Sequence, residues 1–512
     1  MSIHETGARP LSGPLLILAA LVLSVANFVA ILDVTIANVS VTTIAGNLGI
    51  TTSQGTWVIT SYAVAEAITV PLTGWLAGRF GAVRVFVCSI VLFGVASILC
   101  GLSTSLAMLV VARVVQGLAG GPILLLSQTL LLTIFPKEKA TAATALWAMT
   151  TLVAPIVGPM LGGYICDNAT WHWIFFINVP IALFCAWAAW LLVRRYESVP
   201  VKAPIDVVGL LLLIIWVGAL QLMLDQGKDL DWFSSPVIVT LAITTVVGFI
   251  AFLIWELTAA FPVVDLRVFR HRGFTICVIS LVIAFGALFG VNVLTPLWLQ
   301  SYMGYTSTWA GLAVAWMGVL AVLCAPLAAL LLRWLDPRML IFVAVSWLAA
   351  VTLWRAFGTT EMTYWQIALP LLVMGAGMPL FFVPLMGAAL GSVETREMAS
   401  AAGLMSFLRT VSGAFATSLT NTAWEDGIKL RYAELVEQLD RFGDALQGLQ
   451  RSGLSLEAAR ATLSRLTEVQ AVMLATNQLF LVMALVFFVA ACTIWLAPRP
   501  RLVAESVTTA EG

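Results

Sequence analysis

Apolar and polar positions divide the chain into fourteen apolar runs of membrane-crossing length, at roughly 15–40, 56–77, 83–101, 106–130, 141–164, 174–193, 205–225, 236–257, 274–297, 309–332, 339–357, 365–390, 400–425 and 474–497. About 20 apolar residues in a helix cross ~30 Å of hydrocarbon. Each run therefore predicts one transmembrane helix, and the cuts fall at polar or Gly/Pro-rich breaks. The expected fold class is all-α, a polytopic membrane protein. The first run is too long for a signal-peptide core and lacks a convincing cleavage site, so it is read as a retained helix.

Charge supports the count, because short cytoplasmic loops are enriched in Lys and Arg. With the N-terminus inside, the cytoplasmic segments hold Arg9, Arg79, Arg84, Lys137, Lys139, Arg194, Arg195, Lys202, Arg267, Arg270, Arg272, Arg333, Arg338, Arg396, Arg499 and Arg501, whereas the opposite short loops hold only Lys228. A miscount by one helix would scramble this alternation. Fourteen spans with both termini cytoplasmic are expected.

An internal repeat gives the organisation. Thr56-Trp57 opens the second run and Arg79 to Arg84 follows it; Thr308-Trp309 opens the tenth and Arg333 to Arg338 follows that, at offsets of 252 and 254 residues. The same hairpin recurs eight helices later, as expected of two six-helix halves with two extra helices between them, an architecture of secondary transporters. The expected units are an N-terminal half at 1–198, inserted helices at 199–262 and a C-terminal half at 263–512. Between the last two runs, 426–473 is polar but patterned: Leu435, Leu439, Phe442, Leu446 and Leu449, a break at Ser452-Gly453, then Leu456, Ala459, Leu463 and Leu466. Ser455 suits a helix N-cap with Glu457 in the first turn. This predicts an extracytoplasmic helical hairpin whose apolar seam either packs on itself or accepts a partner's coiled coil.

Composition narrows the function. Hydrophobic residues make up 61% and charged residues 10%, with a mean hydropathy of +1.01, against about 25% charged in soluble domains. With zero net charge and no basic stripe, nothing is built for nucleic acid. Seven cysteines are scattered without disulfide or metal-ligand spacing. The histidines, His4, His172 and His271, lie outside the runs and cannot form an intramembrane relay. No nucleophile, metal set or paired acids suggest an enzyme, and no cofactor or metal is expected.

Charges left inside the runs are then the candidates, since one in hydrocarbon costs several kcal/mol or more. They are Asp33, Glu66, Arg113 and Arg409. Asp33 lies seven residues before the outer end of the first run and Arg113 seven after the outer start of the fourth, placing both roughly 10 Å deep. As neighbours they would form a proton-coupling site, the balance of opposite charge against burial deciding whether the carboxylate exchanges protons. A capping carboxylate and a snorkelling arginine are the competing readings. Glu66 stands near the midplane of the second helix, suited to a cation or proton or to a structural hydrogen bond. Arg409 could complement an anion or an acidic partner. In the fifth run, Pro155 and Pro159 each remove a backbone donor, while Gly158, Gly162 and Gly163 allow close helix contact; a kink and a tight seam are expected.

These motifs resemble the major facilitator superfamily, in particular its fourteen-helix drug:proton antiporters of the EmrB type, over nearly the whole chain. Leu32-Asp33-Val34-Thr35-Ile36-Ala37-Asn38 looks like the family's first-helix acidic motif. Arg113 to Gln116-Gly117 is similar to its fourth-helix arginine motif, and Gly158-Pro159 with Gly162-Gly163 to the antiporter motif. Trp171 to Pro180 and Leu224-Asp225-Gln226-Gly227 fit the EmrB subgroup. The cytoplasmic gate loop, Gly74, Gly78, Arg79, Gly81 and Arg84, departs from the pattern: Gly78 replaces a common Asp, removing half of a charge lock. His172 stands where an Arg is common.

The resemblance implies a proton-coupled efflux transporter of the cell inner membrane that exports amphipathic or lipophilic compounds. Asn38 and Gln116 of these motifs, together with Arg409, are candidate cavity residues. The resemblance also implies a periplasmic adaptor of the membrane-fusion type and an outer-membrane channel as partners, the hairpin facing the correct side for docking. A proton-linked importer of a small nutrient is the alternative, disfavoured by the Pro/Gly pattern of the fifth helix.

Overall fold

The computed structural model of this protein describes residues 13–136, 140–198, 205–227, 230–260, 262–332, 334–394, 397–440, 444–452 and 455–498. The expected positions Arg9, Lys137, Lys139, Lys202, Lys228, Arg333, Arg396, Phe442, Gly453, Arg499 and Arg501 lie outside them, as do the side chains of Pro155 and Leu439.

The first half comprises α1 (Pro14–Leu48), a short α2 (Thr52–Gly55), α3 (Trp57–Phe80), α4 (Ala82–Gly101), α5 (Leu106–Ile134), α6 (Ala140–Asn168), a short α7 (Trp173–Phe176) and α8 (Asn178–Val193). Two inserted helices follow, α9 (Val207–Gln226) and α10 (Pro236–Thr258). The second half comprises α11 (Arg272–Ser301), α12 (Ser307–Leu331), α13 (Pro337–Arg355), α14 (Tyr364–Gly391), α15 (Met398–Asp440), α16 (Asp444–Arg451) and α17 (Leu456–Thr493). Thirteen of the fourteen apolar runs are each one long helix, and the sixth, 174–193, is the short α7 followed by α8. Among the described residues eleven are apolar and long enough to cross a membrane by composition alone. The other three runs correspond to α3, α6 and α15, which are 24, 29 and 43 residues long.

Helix ends follow local chemistry. Thr51 and Gln54 form a reciprocal capping box at α2, and the hydroxyl of Ser105 accepts the Met108 N–H at the start of α5. Gly81 turns α3 into α4 with φ 98°, a left-handed region that favours glycine. α6 runs unbroken through Pro155 and Pro159 as one continuous helix.

The halves form a two-body bundle with α3 packed on α15 and α6 on α12 across the divide. One end of the bundle, here the basic end, carries Arg79, Arg84, Arg194, Arg195, Arg267, Arg270, Arg272 and Arg338; the other is the hairpin end. The hydrogen bonds described between the halves run at the hairpin end. Thr42 donates to Gln300, whose amide donates to Val39 O at 2.9 Å, and Thr43 pairs with Ser307 at 3.1 Å. The Asp167 carboxylate accepts the backbone N–H of Ser307 (3.2 Å) and Thr308 (2.7 Å), and Asn421 donates to Ser53 at 3.1 Å. At the basic end the described ion pairs stay within one half: Arg84 with Glu197, and Arg270 and His271 with Glu397. The hairpin end is therefore the closed one.

One expectation needs correcting. α1 continues to Leu48 instead of ending near residue 40, so Asp33 lies fifteen residues, about 22 Å, from that end. The depth of about 10 Å counted for Asp33 came from ending the first helix where its sequence turns polar; the two residues nevertheless lie level, because Asp33 and Arg113 bond directly. The polar segment 426–473 is helical on both sides as expected, continuous with the membrane helices: α15 runs to Asp440, α17 starts at Leu456, and α16 packs on α17. Ser455 caps α17 by accepting the Ala458 N–H at 3.2 Å. Ala459 is buried and Leu446 and Leu449 are half-buried, so the seam packs partly on itself, while Leu430, Leu456 and Leu466 are exposed.

Candidate functional site

Asp33 and Arg113 meet. Arg113 is fully buried, Asp33 is 1% exposed, and one Arg113 Nη1 donates directly to Asp33 Oδ2. The remaining lone pairs of the carboxylate are also used: Oδ1 accepts from Asn178 Nδ2 at 2.7 Å and from Gln116 Nε2 at 3.0 Å. The guanidinium is held in turn. Its Nε donates to Val58 O at 2.9 Å, Nη1 also donates to Gln116 Oε1 at 2.8 Å, and its carbon lies 4.4 Å from the centre of the Tyr62 ring. Gln116 completes the cage by donating to Ser97 Oγ at 2.8 Å. Five helices, α1, α3, α4, α5 and α8, thus converge on one charge pair. Attraction and these hydrogen bonds offset the desolvation of the buried pair, while the enclosed Arg113 Nη2 has no described partner.

The glycines of α5 make the approach possible. A methyl on Gly117 would lie 2.9 Å from Ala65 Cβ and 3.0 Å from the Tyr62 carbonyl carbon, so α3 rests on the α5 backbone. That contact sets Tyr62 over Arg113.

Gln116, expected along a cavity, is fully buried in this cage; its amide matches both members of the pair. Asn38 is half-buried, and its Oδ1 is enclosed without a described partner. Glu66, buried on α3, and Arg409, partly buried on α15, attract one another across the divide without a direct ion pair, and Arg409 lies 5.7 Å from the Phe285 ring centre. On α6, a methyl on Gly162 would sit 3.0 Å from Ile36 O of α1 and one on Gly158 would run into Thr35 and lie 3.2 Å from Ile36 N. Gly163 instead faces α12, where a methyl would lie 2.7 Å from Thr308 Cα, and Pro159 backs onto Gly311. The motif thus forms one seam within a half and another between halves.

At the gate loop, Gly74 and Gly78 face open space and Arg79 is exposed. An acid reaches this turn from elsewhere in the chain: Glu197, beyond α8, accepts the backbone N–H of Val83 (2.9 Å) and Arg84 (3.1 Å) and pairs with Arg84 at 3.7 Å. It caps α4 from a distance in sequence that no local motif reveals. His172 stacks on Trp171 with ring centres 3.9 Å apart.

Sequence reading missed Ser97 and Tyr62, which carry no charge, and gave Asn178 no role beyond the subgroup motif. Asp225 likewise appeared only in a motif, and Glu256 and Arg355 were passed over, because each ends an apolar run. Glu256 is fully buried and accepts the Val264 N–H at 3.1 Å, while Arg355, 6% exposed, donates to Thr295 at 2.7 Å and stacks on Phe480 at 4.2 Å.

The family model of the Major Facilitator Superfamily matches residues 23–417. The chain belongs to that superfamily. Its members similar to this chain include the multidrug export protein EmrB of Haemophilus influenzae, 44% identical over 96% of this chain and 97% of the relative. The fatty acid resistance protein FarB of Neisseria gonorrhoeae is 41% identical over 96% of this chain and 98% of its own. Among solved structures, a bacterial homolog of the human lysosomal transporter Spinster has a similar fold, with a TM-score of 0.61 at 12% identity, covering 95% of this chain and 97% of that one. The match supports an EmrB-type transporter rather than an enzyme, and the motifs of α1, α5 and α6 fall inside the matched region.

Proposed function

We propose that this protein is a proton-coupled multidrug efflux transporter of the inner membrane, with the basic end and both termini in the cytoplasm, exporting amphipathic or lipophilic compounds by drug:proton antiport. The Asp33–Arg113 cage carries the reading. While Asp33 is ionised, Arg113 is drawn into the N-terminal half and the helices around the cage pack tightly. Proton uptake at Asp33 removes the attraction that holds the guanidinium, and the cage loosens. Coupling then follows if substrate leaves and the proton enters when the hairpin end opens, and the proton is lost toward the basic end. The halves rock about a central cavity, where Glu66 and Arg409 offer opposite charges to cargo and Glu66 serves as a second proton-coupling carboxylate. Gly158, Gly162 and Gly163 form the sliding seams, with Pro155 and Pro159 limiting the backbone bonds between them. The relatives' printed names, multidrug export and fatty acid resistance, support amphipathic cargo.

The projecting ends of α15 and α17, with Leu430, Leu456 and Leu466 exposed, suit a helical periplasmic adaptor of the membrane-fusion type that leads to an outer-membrane channel.

Reconstituted dye transport under an imposed pH gradient tests the reading. Dye should move against the inward proton flux; movement with the protons would make the protein an importer.

A further inference from the structure

We infer that the inserted helices are a working part of the gate, and that Asp225 at the end of α9 is a positioning residue that holds the hairpin end closed. Its carboxylate joins both halves. Oδ2 accepts from Thr60 of α3 at 2.9 Å, and Oδ1 accepts from Ser418 of α15 at 2.8 Å and from Gln221, one turn back on α9, at 2.7 Å. Thr60 is fully buried and Ser418 nearly so. α3 and α15 are a pair that packs directly across the divide, and one turn along α15 Asn421 donates to Ser53. α15 is therefore fastened to the first half at two successive points, one direct and one through Asp225.

Opening this end requires α3 and α15 to part. Asp225 stands on a single rigid helix, anchored through Gln221, and follows one half only. The bond to the other half must break, and leaving a buried polar group without its partner costs about 1–3 kcal/mol. The inserted pair thus biases the transporter toward closure at the hairpin end. The inference rests on the alternating access proposed above, but not on the direction of transport or on proton coupling.

The test uses the full chain in nanodiscs with the exposed Cys88 and Cys492 replaced by Ser. Spin labels are placed at the exposed positions Leu102 and Phe357, one in each half, and their separation is read by pulsed electron paramagnetic resonance. Asp225→Ala should raise the ratio of the long to the short distance about tenfold. Of Thr60→Ala and Ser418→Ala, one should match that shift and the other leave the distribution unchanged, because only one bond is lost on opening. Gly163→Val, a wedge in the other seam between halves, serves as a control. If it lengthens the distance while Asp225→Ala does not, the role of Asp225 is overturned; if neither changes it, alternating access at this end is overturned with it.

Discussion

Arg113 donates to Asp33 across eighty residues of sequence, and the same arginine nitrogen donates to Gln116 while Gln116 donates back to Asp33. The acid and the base therefore share a neutral intermediary that contacts both. When the charge of Asp33 changes, Gln116 can keep its bond to either partner, so the cage can loosen without stranding every polar group.

Replacing Arg113 should be costly in any form. Arg113→Ala leaves a buried carboxylate without its cation, a loss of about 3–5 kcal/mol, read as a lowered unfolding midpoint in detergent. Arg113→Lys keeps the charge but not the fork that reaches Val58 O, Gln116 and Asp33 together. It should fold, yet transport at least tenfold more slowly. Asp33→Asn with Arg113→Gln should regain most of the stability and none of the pH-driven transport.

Asn178→Ala should separate the cage from general packing. It removes one charged hydrogen bond of about 1.5–3 kcal/mol without touching Arg113. Transport driven by a pH gradient should fall about tenfold, while Asn178→Ala binds substrate dye with an unchanged Kd. A weakened Kd with unchanged turnover would place Asn178 in the cargo site instead.

The two seams of α6 should respond differently. Gly158→Val presses on Thr35 and Ile36 within one half and should lower thermal stability. Gly163→Val presses on Ser307 and Thr308 of the opposite half and should hinder closure of the hairpin end with a smaller stability loss, as judged by cysteine cross-linking between α6 and α12.

Glu197→Ala should cost about 1 kcal/mol, the usual worth of a helix N-cap, and loosen the turn at Gly81. Melting temperature and protease cleavage between α3 and α4 would report it. No change in either would show that Glu197 contributes no more than its exposed pair with Arg84.

Much of this architecture was legible because hydrocarbon imposes a simple rule: an apolar run of sufficient length is a helix, and a charge within it needs a reason. That rule located all fourteen helices and both members of the central pair. It failed where chemistry carries no charge signal. Asn178, Ser97 and Tyr62 are ordinary residues until the fold brings them to Asp33. It failed again at helix ends, where Asp225 and Arg355 look like boundary residues although the helices hold them inside the bundle. The length of α1 was misjudged because Thr42, Thr43 and Asn47 look like a loop. In the fold, Thr42 and Thr43 bond the opposite half and Asn47 its own helix backbone.

Asp33→Asn in liposomes, compared under two driving forces, tests the central claim most directly. The variant should still move dye down a dye gradient, and should neither concentrate dye under a pH gradient nor change internal pH when dye is added. Dye-dependent proton movement at the wild-type rate in Asp33→Asn would contradict a proton switch at this carboxylate.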